Sequence, residues 1–472
     1  MPPFIFKATK SHLKGEIMRE STIAAISTPQ GAGGIAVIRI SGDKAIEVAD
    51  RVFVSFSGKK LVDLEGYRAL YGNIVFEDEI LDECVALVFR APKSFTGENV
   101  VELCCHGGNL VTKLVLRAVL SSGAEAAEAG EFTRRAFLNG KMNIAEAESI
   151  MNLISAQSKS ALRAANNVRR GAVSKKIYAL CERLEFTAAH LSAWADFPEE
   201  DIPEVNEENL RKTLTETLAE LDFLMKNYDA GKAITQGVPT AILGKPNVGK
   251  STLMNLLSGF DKSIVTDIPG TTRDVVEETV VLGEIILRLS DTAGIRDTDN
   301  VVEKIGVDRA KEKISESQLL LAVFDSSNEL DDEDKKIIEE IGDTPAVAVI
   351  NKSDLESKID TAFIESHFEQ VVYISAKLGS GKDELISAVT KATGSENFSA
   401  SAVLLAGERQ RAAAENARDC VSSAISALDM GFSLDAVTID IENALYKLYE
   451  LVGKNVSEEI VDKVFHTFCV GK

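Results

Sequence analysis

Gly244-Lys245-Pro246-Asn247-Val248-Gly249-Lys250-Ser251 fits the spacing GxxxxGK[ST]. It follows the strand-like run Thr240-Ala241-Ile242-Leu243 and precedes a helix-like run from Thr252 to Leu257. Glycines at this spacing let the backbone curl until its N–H groups converge, and a concave row of amides binds phosphate oxygens. In such a loop Lys250 meets the β and γ phosphates of a nucleoside triphosphate, and Ser251 ligates Mg²⁺.

Four more segments supply the rest of a nucleotide site. Asp291-Thr292-Ala293-Gly294 closes the run Ile285 to Leu289, which puts Asp291 in the Mg²⁺ shell and aims the Gly294 N–H at the γ phosphate. Gly270-Thr271-Thr272-Arg273-Asp274 lies between these segments, where a switch loop gives a threonine to Mg²⁺. Asn351-Lys352-Ser353-Asp354 follows the run Ala346 to Ile350. Its aspartate can accept from N1–H and the N2 amine of guanine, a donor pair that adenine lacks. Ser375-Ala376-Lys377 then closes over the base. Five segments in this order imply a GTPase. The position after DTAG, where many small GTPases carry a water-orienting glutamine, is Ile295. A monovalent cation among Asn247 and the Ile268–Thr272 oxygens can then do the work of an arginine finger. Glu303 is either the residue that orients water or a solvated helix-start glutamate.

The elements that must position these residues show three textures. Residues 18–138 alternate short β-rich runs (Ile35 to Ile40, Val85 to Phe89) with helices at Asp43 to Val52 and Asn109 to Leu120, an α+β pattern. Residues 139–234 show helical periodicity in Ala145 to Ile154, Ser158 to Val168 and Val173 to Trp194, broken at Phe197–Pro203. The single tryptophan, Trp194, is expected in the helical core. Strands and helices alternate over 235–395, and helix returns over 396–472. The fold class expected is multidomain, α/β plus all-α, with a Ras-like P-loop domain inserted between two parts of one helical domain. Four separate domains in a row is the alternative arrangement.

The chain has 472 residues, 45% hydrophobic and 26% charged, with a net charge of −21. This composition excludes disordered, collagenous and disulfide-scaffold classes. No apolar run reaches 18 residues, so no membrane-spanning helix is expected. An acidic chain repels nucleic acid at long range, so RNA work here calls for a local basic patch or a basic partner. Six cysteines without zinc-type spacing, and no convincing signal peptide, point to thiols in a reducing cytoplasm. Residues 1–17 look like an extension, with Met18 as an alternative start.

The PNVGKS and GTTRD runs resemble the TrmE-Era-EngA-septin-like branch of GTPases. Thr28–Gly34, Ser94-Phe95-Thr96-Gly97-Glu98, His106-Gly107-Gly108, Gly130–Lys141 and the terminal Cys469-Val470-Gly471-Lys472 look like the tRNA modification GTPase family, MnmE/TrmE. The likeness runs from about residue 19 to 472. It implies an N-terminal domain that binds a tetrahydrofolate derivative and forms a homodimer. It also implies a flavin-dependent partner of the MnmG/GidA type, carrying FAD, and modification of the wobble uridine of certain tRNAs at C5. By position it implies K⁺ at Asn247, Thr266, Ile268 and Thr271, and Mg²⁺ at Ser251 and Thr272. GTP contacts run over Asn247–Thr252, Thr266–Thr272, Asp291–Gly294, Asn351, Lys352, Asp354, Ser375 and Ala376. Glu303 matches the catalytic glutamate, and Arg39, Glu102, Lys141 and Lys472 match folate contacts.

Cys469 is either a mobile nucleophilic thiol, which the family ending favours, or an inert helix-end cysteine. Cys104 and Cys105 read as strand packing, and His106 as a structural hydrogen-bonder rather than a base. A ribosome-assembly GTPase without base chemistry is a competing reading. It calls for a basic RNA-binding appendage, and no GxxG loop in a basic setting is present. A standalone folate aminomethyltransferase with a regulatory GTPase is the third.

Overall fold

A computed structural model describes residues 21–29, 31–197, 203–259, 278–289, 314–395, 405 and 407–472. Contacts divide the chain into two compact units. One joins the residues up to Met151 with Ile441–Lys472, and the other is Asn152–Asp440.

The first unit is built on a sheet of β1 (Ile23–Ile26), β2 (Ile35–Ser41), β3 (Phe53–Ser55), β4 (Arg68–Phe76), β5 (Glu79–Phe89), β6 (Val100–His106) and β7 (Glu125–Ala126). Their order is β3-β4-β5-β6-β2-β1-β7. All neighbours are antiparallel except β1 and β7. Alternation decides the faces. Ala36, Ile38 and Ile40 of β2, and Cys84, Ala86 and Val88 of β5, share a core with α1 (Ala45–Val52) and α2 (Asn109–Ser121). Val37, Arg39, Val85, Glu102 and Cys104 belong to the opposite face and are half-buried or exposed. Cys105 packs into the core as expected of a strand residue, while Cys104 is half-buried on the other face. After β7 come α3 (Glu131–Leu138) and α4 (Ile144–Ile154).

The second unit opens with α5 (Lys159–Arg169), α6 (Ala172–Asp196) and α7 (Glu207–Thr235). Ser158 and Asn206 cap α5 and α7 by accepting from Ala161 N and Asn209 N, which satisfies otherwise orphaned amides. Trp194 departs from expectation: it is 38% exposed. It sits in the last turn of α6, beyond Leu191, the final buried position of that helix.

A second sheet follows, from β8 (Val238–Leu243), α8 (Lys250–Gly259), β9 (Glu278–Leu282), β10 (Ile285–Leu289), β11 (Leu319–Asp325), α9 (Asp332–Ile341), β12 (Ala346–Asn351), α10 (Thr361–Glu365), β13 (Gln370–Tyr373) and α11 (Lys382–Ala392). The order is β13-β12-β11-β8-β10-β9, parallel throughout except the edge pair β9–β10. Leu319 to Phe324 are all at most 1% exposed, the continuous apolar run required of a strand covered on both faces. The order reverses at β8, so the loop after β8 opens into the crevice where doubly wound sheets bind ligands.

The chain then returns through α12 (Glu408–Asp429), α13 (Leu434–Val452) and α14 (Glu458–Phe465). α7 buries Leu210, Leu214, Leu221 and Leu224, and α12 buries Ala413, Ala414, Ala417, Val421 and Ala424. Large side chains on one helix thus face small ones on the other, at steps of three and four. Arg211–Asp429, Arg418–Asp222 (2.8 Å) and Lys232–Glu408 (2.9 Å) tie the pair together. Each pair steps up one helix as it steps down the other, so the helices run antiparallel in fixed register.

α14 belongs instead to the first unit. Its Phe465, with Phe468, shares a core with Phe137, Leu138 and Ile144, and Arg134 pairs with Asp462 at 2.9 Å. The compact units divide the chain at 151/152 and 440/441.

Candidate functional site

The loop after β8 is curled as its glycines allow. Gly244 and Gly249 have φ of +146° and +100°, and Asn247 has φ +65°. A Cβ at Gly244 would lie 2.5 Å from the Val323 carbonyl oxygen, and one at Gly249 would collide with the Asn351 amide. The Lys250 ammonium donates to the carbonyls of Gly244 and Lys245, at 2.6 Å each. Burial lowers its pKa from the ordinary lysine value. A cation thus sits at the centre of a ring of backbone groups, the arrangement that receives a polyphosphate. Ser251 and Thr252 follow in the first turn of α8 and are exposed. A cavity of about 340 Å³ adjoins the loop, lined by Asn247, Val248, Asp325, Asn328, Glu333 and Lys352 among others.

The base-recognition residues are joined to that loop. Asn351 Nδ2 donates to Val248 O at 2.9 Å, and Asn351 Oδ1 accepts from Ala376 N at 3.0 Å. One buried amide therefore bridges the phosphate loop and the Ser375-Ala376 turn. Ser375 Oγ donates to Asp354 Oδ1 at 2.6 Å, which lowers the Asp354 pKa below its ordinary value. Asp354 stays a carboxylate with one oxygen available to accept. Lys352, at φ +64°, pairs with Asp325 at 2.5 Å. Burial opposes the Asp325 charge, and hydrogen bonds from Lys352 and Ser327 outweigh it, so its pKa falls.

Of the residues expected at the nucleotide, Val248, Asn351 and Ala376 are joined by hydrogen bonds, Asp354 is bonded to Ser375, Lys352 pairs with Asp325, and Ser251 and Thr252 lie in the first turn of α8. Thr266, Asp267, Ile268, Pro269, Gly270, Thr271, Thr272, Asp291, Thr292, Ala293, Gly294, Ile295 and Glu303 lie outside the described residues. One feature escaped the sequence reading. Lys245 pairs with Asp331 at 2.6 Å and Asp334 at 2.7 Å, which ties the phosphate loop to the capped start of α9.

The first unit holds a second constellation. Arg39 and Glu102 are cross-strand partners on β2 and β6, bonded Nη2–Oε1 at 2.8 Å and Nε–Oε1 at 2.9 Å. The guanidinium lies 5.5 Å from the Phe95 ring centre and 5.7 Å from that of Phe132. Lys141 Nζ donates to Pro92 O at 3.0 Å, with its stem against Gly97. The terminal segment returns beside β1. Ser27 Oγ donates to Gly471 O at 3.0 Å, Gly130 N donates to Cys469 O at 3.4 Å, and Val470 bridges Ala129. Gly471 has φ +91°, and a Cβ there would collide with the Ile26 carbonyl. Cys469 is exposed. Lys472 follows the pinned glycine, with its N–H donating to Cys469 O at 3.3 Å.

A buried polar network below this face also went unassigned from sequence. Arg135 is 6% exposed and Glu98 8%; they pair at 3.3 Å, and Arg135 also donates to Glu131 and the Ser21 carbonyl. Ser41 Oγ donates to Glu98 Oε2 at 2.7 Å and meets Thr96 Oγ1 at 2.8 Å. Their motifs were visible, but nothing in the spacing joined residue 98 to residue 135. His106 Nδ1 meets Asp82 at 2.6 Å while its backbone N donates to the same carboxylate at 2.7 Å. It is a structural hydrogen-bonder, as expected.

A phosphate loop at the switch point of a parallel sheet, joined by a buried asparagine to the Ser375-Ala376 turn that holds the ionised Asp354, defines a P-loop nucleotide-binding protein. The MnmE helical domain model matches residues 144–469, and the model for the GTP-binding protein TrmE N-terminus matches residues 22–141. The tRNA modification GTPase MnmE of Clostridioides difficile is 39% identical, covering 96% of this chain and 99% of the relative. That of Alkaliphilus oremlandii is 40% identical, covering 96% and 99%. The chain belongs to the MnmE family of tRNA modification GTPases. Among solved structures, an Aquifex aeolicus Era chain is 29% identical over 39% of this chain and 66% of its own, at a TM-score of 0.27.

Proposed function

We propose that this GTPase, as a homodimer working with a flavin-dependent MnmG-type partner in the cytoplasm, installs an aminomethyl or carboxymethylaminomethyl group at C5 of the tRNA wobble uridine. A tetrahydrofolate derivative supplies the one-carbon unit. The observation that carries this reading is the terminal Cys469–Lys472 segment pinned against β1, the strand that pairs with the Arg39-bearing β2. Arg39 and Glu102 offer a donor and an acceptor beside two aromatic rings, a set that fits a pterin. Cys469 is the nucleophile candidate there. The α/β segment is an insert: α7 leads into β8, and α12 returns to pack on α7.

At the nucleotide site, Lys250 and the loop amides hold the phosphates, Asp354 reads guanine, and Ser251 with Thr272 holds Mg²⁺. When bound, Mg²⁺ and K⁺ supply positive charge against the transition state. Asn247, Thr266, Ile268 and Thr271 hold K⁺, and Glu303 orients water. No helix among the described residues is long and apolar enough to cross a membrane.

Nucleoside mass spectrometry of tRNA from cells lacking the protein tests the reading. C5-aminomethyl-type uridines should vanish and return with the intact gene. An unchanged profile sinks the tRNA assignment. Hydrolysis should require K⁺ over Na⁺, and Glu303→Ala should lose hydrolysis while keeping nucleotide binding. Cys469→Ser should keep hydrolysis and lose the modification.

A further inference from the structure

Between Glu148 and Glu182 the sequence contains no acidic residue and six basic ones: Lys159, Arg163, Arg169, Arg170, Lys175 and Lys176. The chain as a whole carries −21. The segment folds as the end of α4, all of α5 and the start of α6. α5 buries Ala161, Ala164, Ala165 and Val168. At 3.6 residues per turn, Lys159, Arg163, Asn167 and Arg170 fall on the opposite side. Lys159, Arg163, Arg169, Arg170 and Lys175 are all exposed. Lys176 is held by Glu220. The other five form no ion pair with a carboxylate among the described residues. Three cations of α7 and α12, Arg211, Lys232 and Arg418, each have an acidic partner.

The helix dipole favours Arg169 and Arg170 at the carboxyl end of α5, and Glu220 holds Lys176, but neither accounts for Lys159, Arg163 and Lys175. Lys175 and Lys176 lie in the first turns of a 25-residue helix that has no acidic residue in its first turn and no side-chain cap at Gly171. Cations at that end oppose the helix dipole, so the placement costs local stability and favours an external anion. The charges form a row about 16 Å long on α5, continuing round the Gly171 corner. A row fits a repeating phosphodiester, whereas a single phosphate needs a converging pocket.

We infer that the α5 face and the α5–α6 corner bind the sugar-phosphate backbone of tRNA. The inference rests on the tRNA reading above and answers how so acidic a chain holds RNA. Backbone contacts of this kind carry affinity and salt dependence rather than sequence choice.

The test uses the full chain and an unmodified tRNA transcript, with binding followed by fluorescence anisotropy from 50 to 200 mM KCl. The K159A/R163A/R170A/K175A variant should bind at least tenfold more weakly at low salt. Its log K against log salt should be shallower by about three units, so that over this range wild type loses roughly 60-fold more affinity than the variant does. Its GTP hydrolysis without tRNA should match wild type, as should its melting temperature. A charge-matched control, K59A/K60A/K113A/R117A, should keep wild-type affinity and slope. Equal binding by wild type and the α5 variant, or an equal loss in the control, overturns the patch and leaves the tRNA reading standing. If cells lacking the protein keep the same wobble nucleosides as complemented cells, the tRNA reading itself fails, and the patch assignment with it.

Discussion

In the second unit each described nucleotide-site residue sits at or just beyond a strand's carboxyl end: Gly244 after β8, Asp325 at the end of β11, Asn351 at the end of β12, Ser375 beyond β13. In the first unit Arg39, Glu102, Lys141 and Gly471 come from separate segments, Gly471 lying 330 residues beyond Lys141. The nucleotide site is a repeated local device, mostly backbone, and glycines with compulsory positive φ mark it in the sequence. The N-terminal site is made by long-range packing, and single charged residues there carry no spacing signal. A site of the first kind fails when its chemistry is removed. A site of the second kind fails when its support is removed.

Lys250→Ala should give the largest effect, a drop in GTP hydrolysis of roughly 10³-fold, read by phosphate release, with little change in melting temperature. An unfolded variant would break the distinction. Arg135→Ala should do the opposite. It leaves Glu98 buried without its cation and should cost about 3–5 kcal/mol in urea unfolding of the first unit. Hydrolysis per folded molecule should be unchanged.

Gly471→Ala meets both a positive φ and the Ile26 carbonyl, and should cost about 1–3 kcal/mol. It should lower tRNA modification while sparing hydrolysis. Equal losses in both activities would show that the two sites are not separable. The smallest effect should come from His106→Gln. The Asp82 hydrogen bond raises the His106 pKa above 6.5. Its stabilising contribution is therefore complete below pH 6.5 and fades as pH rises through the raised value. The melting-temperature gap between wild type and variant should be constant up to about pH 6.5 and shrink from there to pH 8.5.

The parallel sheet was legible because Leu319–Phe324 is an unbroken apolar run and Ile285–Leu289 is apolar but for Arg288. α5 was legible from the three- and four-residue steps of its apolar residues over Ser158 to Val168. β5 was half seen. Its start at Glu79 is charged, and the β4–β5 turn uses Glu77 and Asp78 at φ 51° and 64° rather than the glycine that usually marks such a hairpin. Trp194 was misread because periodicity gives a residue's face but does not tell whether anything covers the helix end. The Arg135–Glu98 network and the seat of the terminal segment depend on which distant segments meet, and no local pattern encodes that.

The first unit's discontinuity has a consequence during synthesis. Phe137 and Ile144 are covered by Val461, Phe465 and Phe468, which leave the ribosome only after the whole of Asn152–Asp440. At bacterial-type rates of about 5–20 residues per second, the N-terminal sheet waits roughly 15 to 60 s for the segment that closes it. The second unit is contiguous and can fold during that wait. The nascent chain therefore carries a finished nucleotide-binding sheet between the separated parts of an unfinished core, and its exposed phenylalanines make that interval the one in which a chaperone has most to hold.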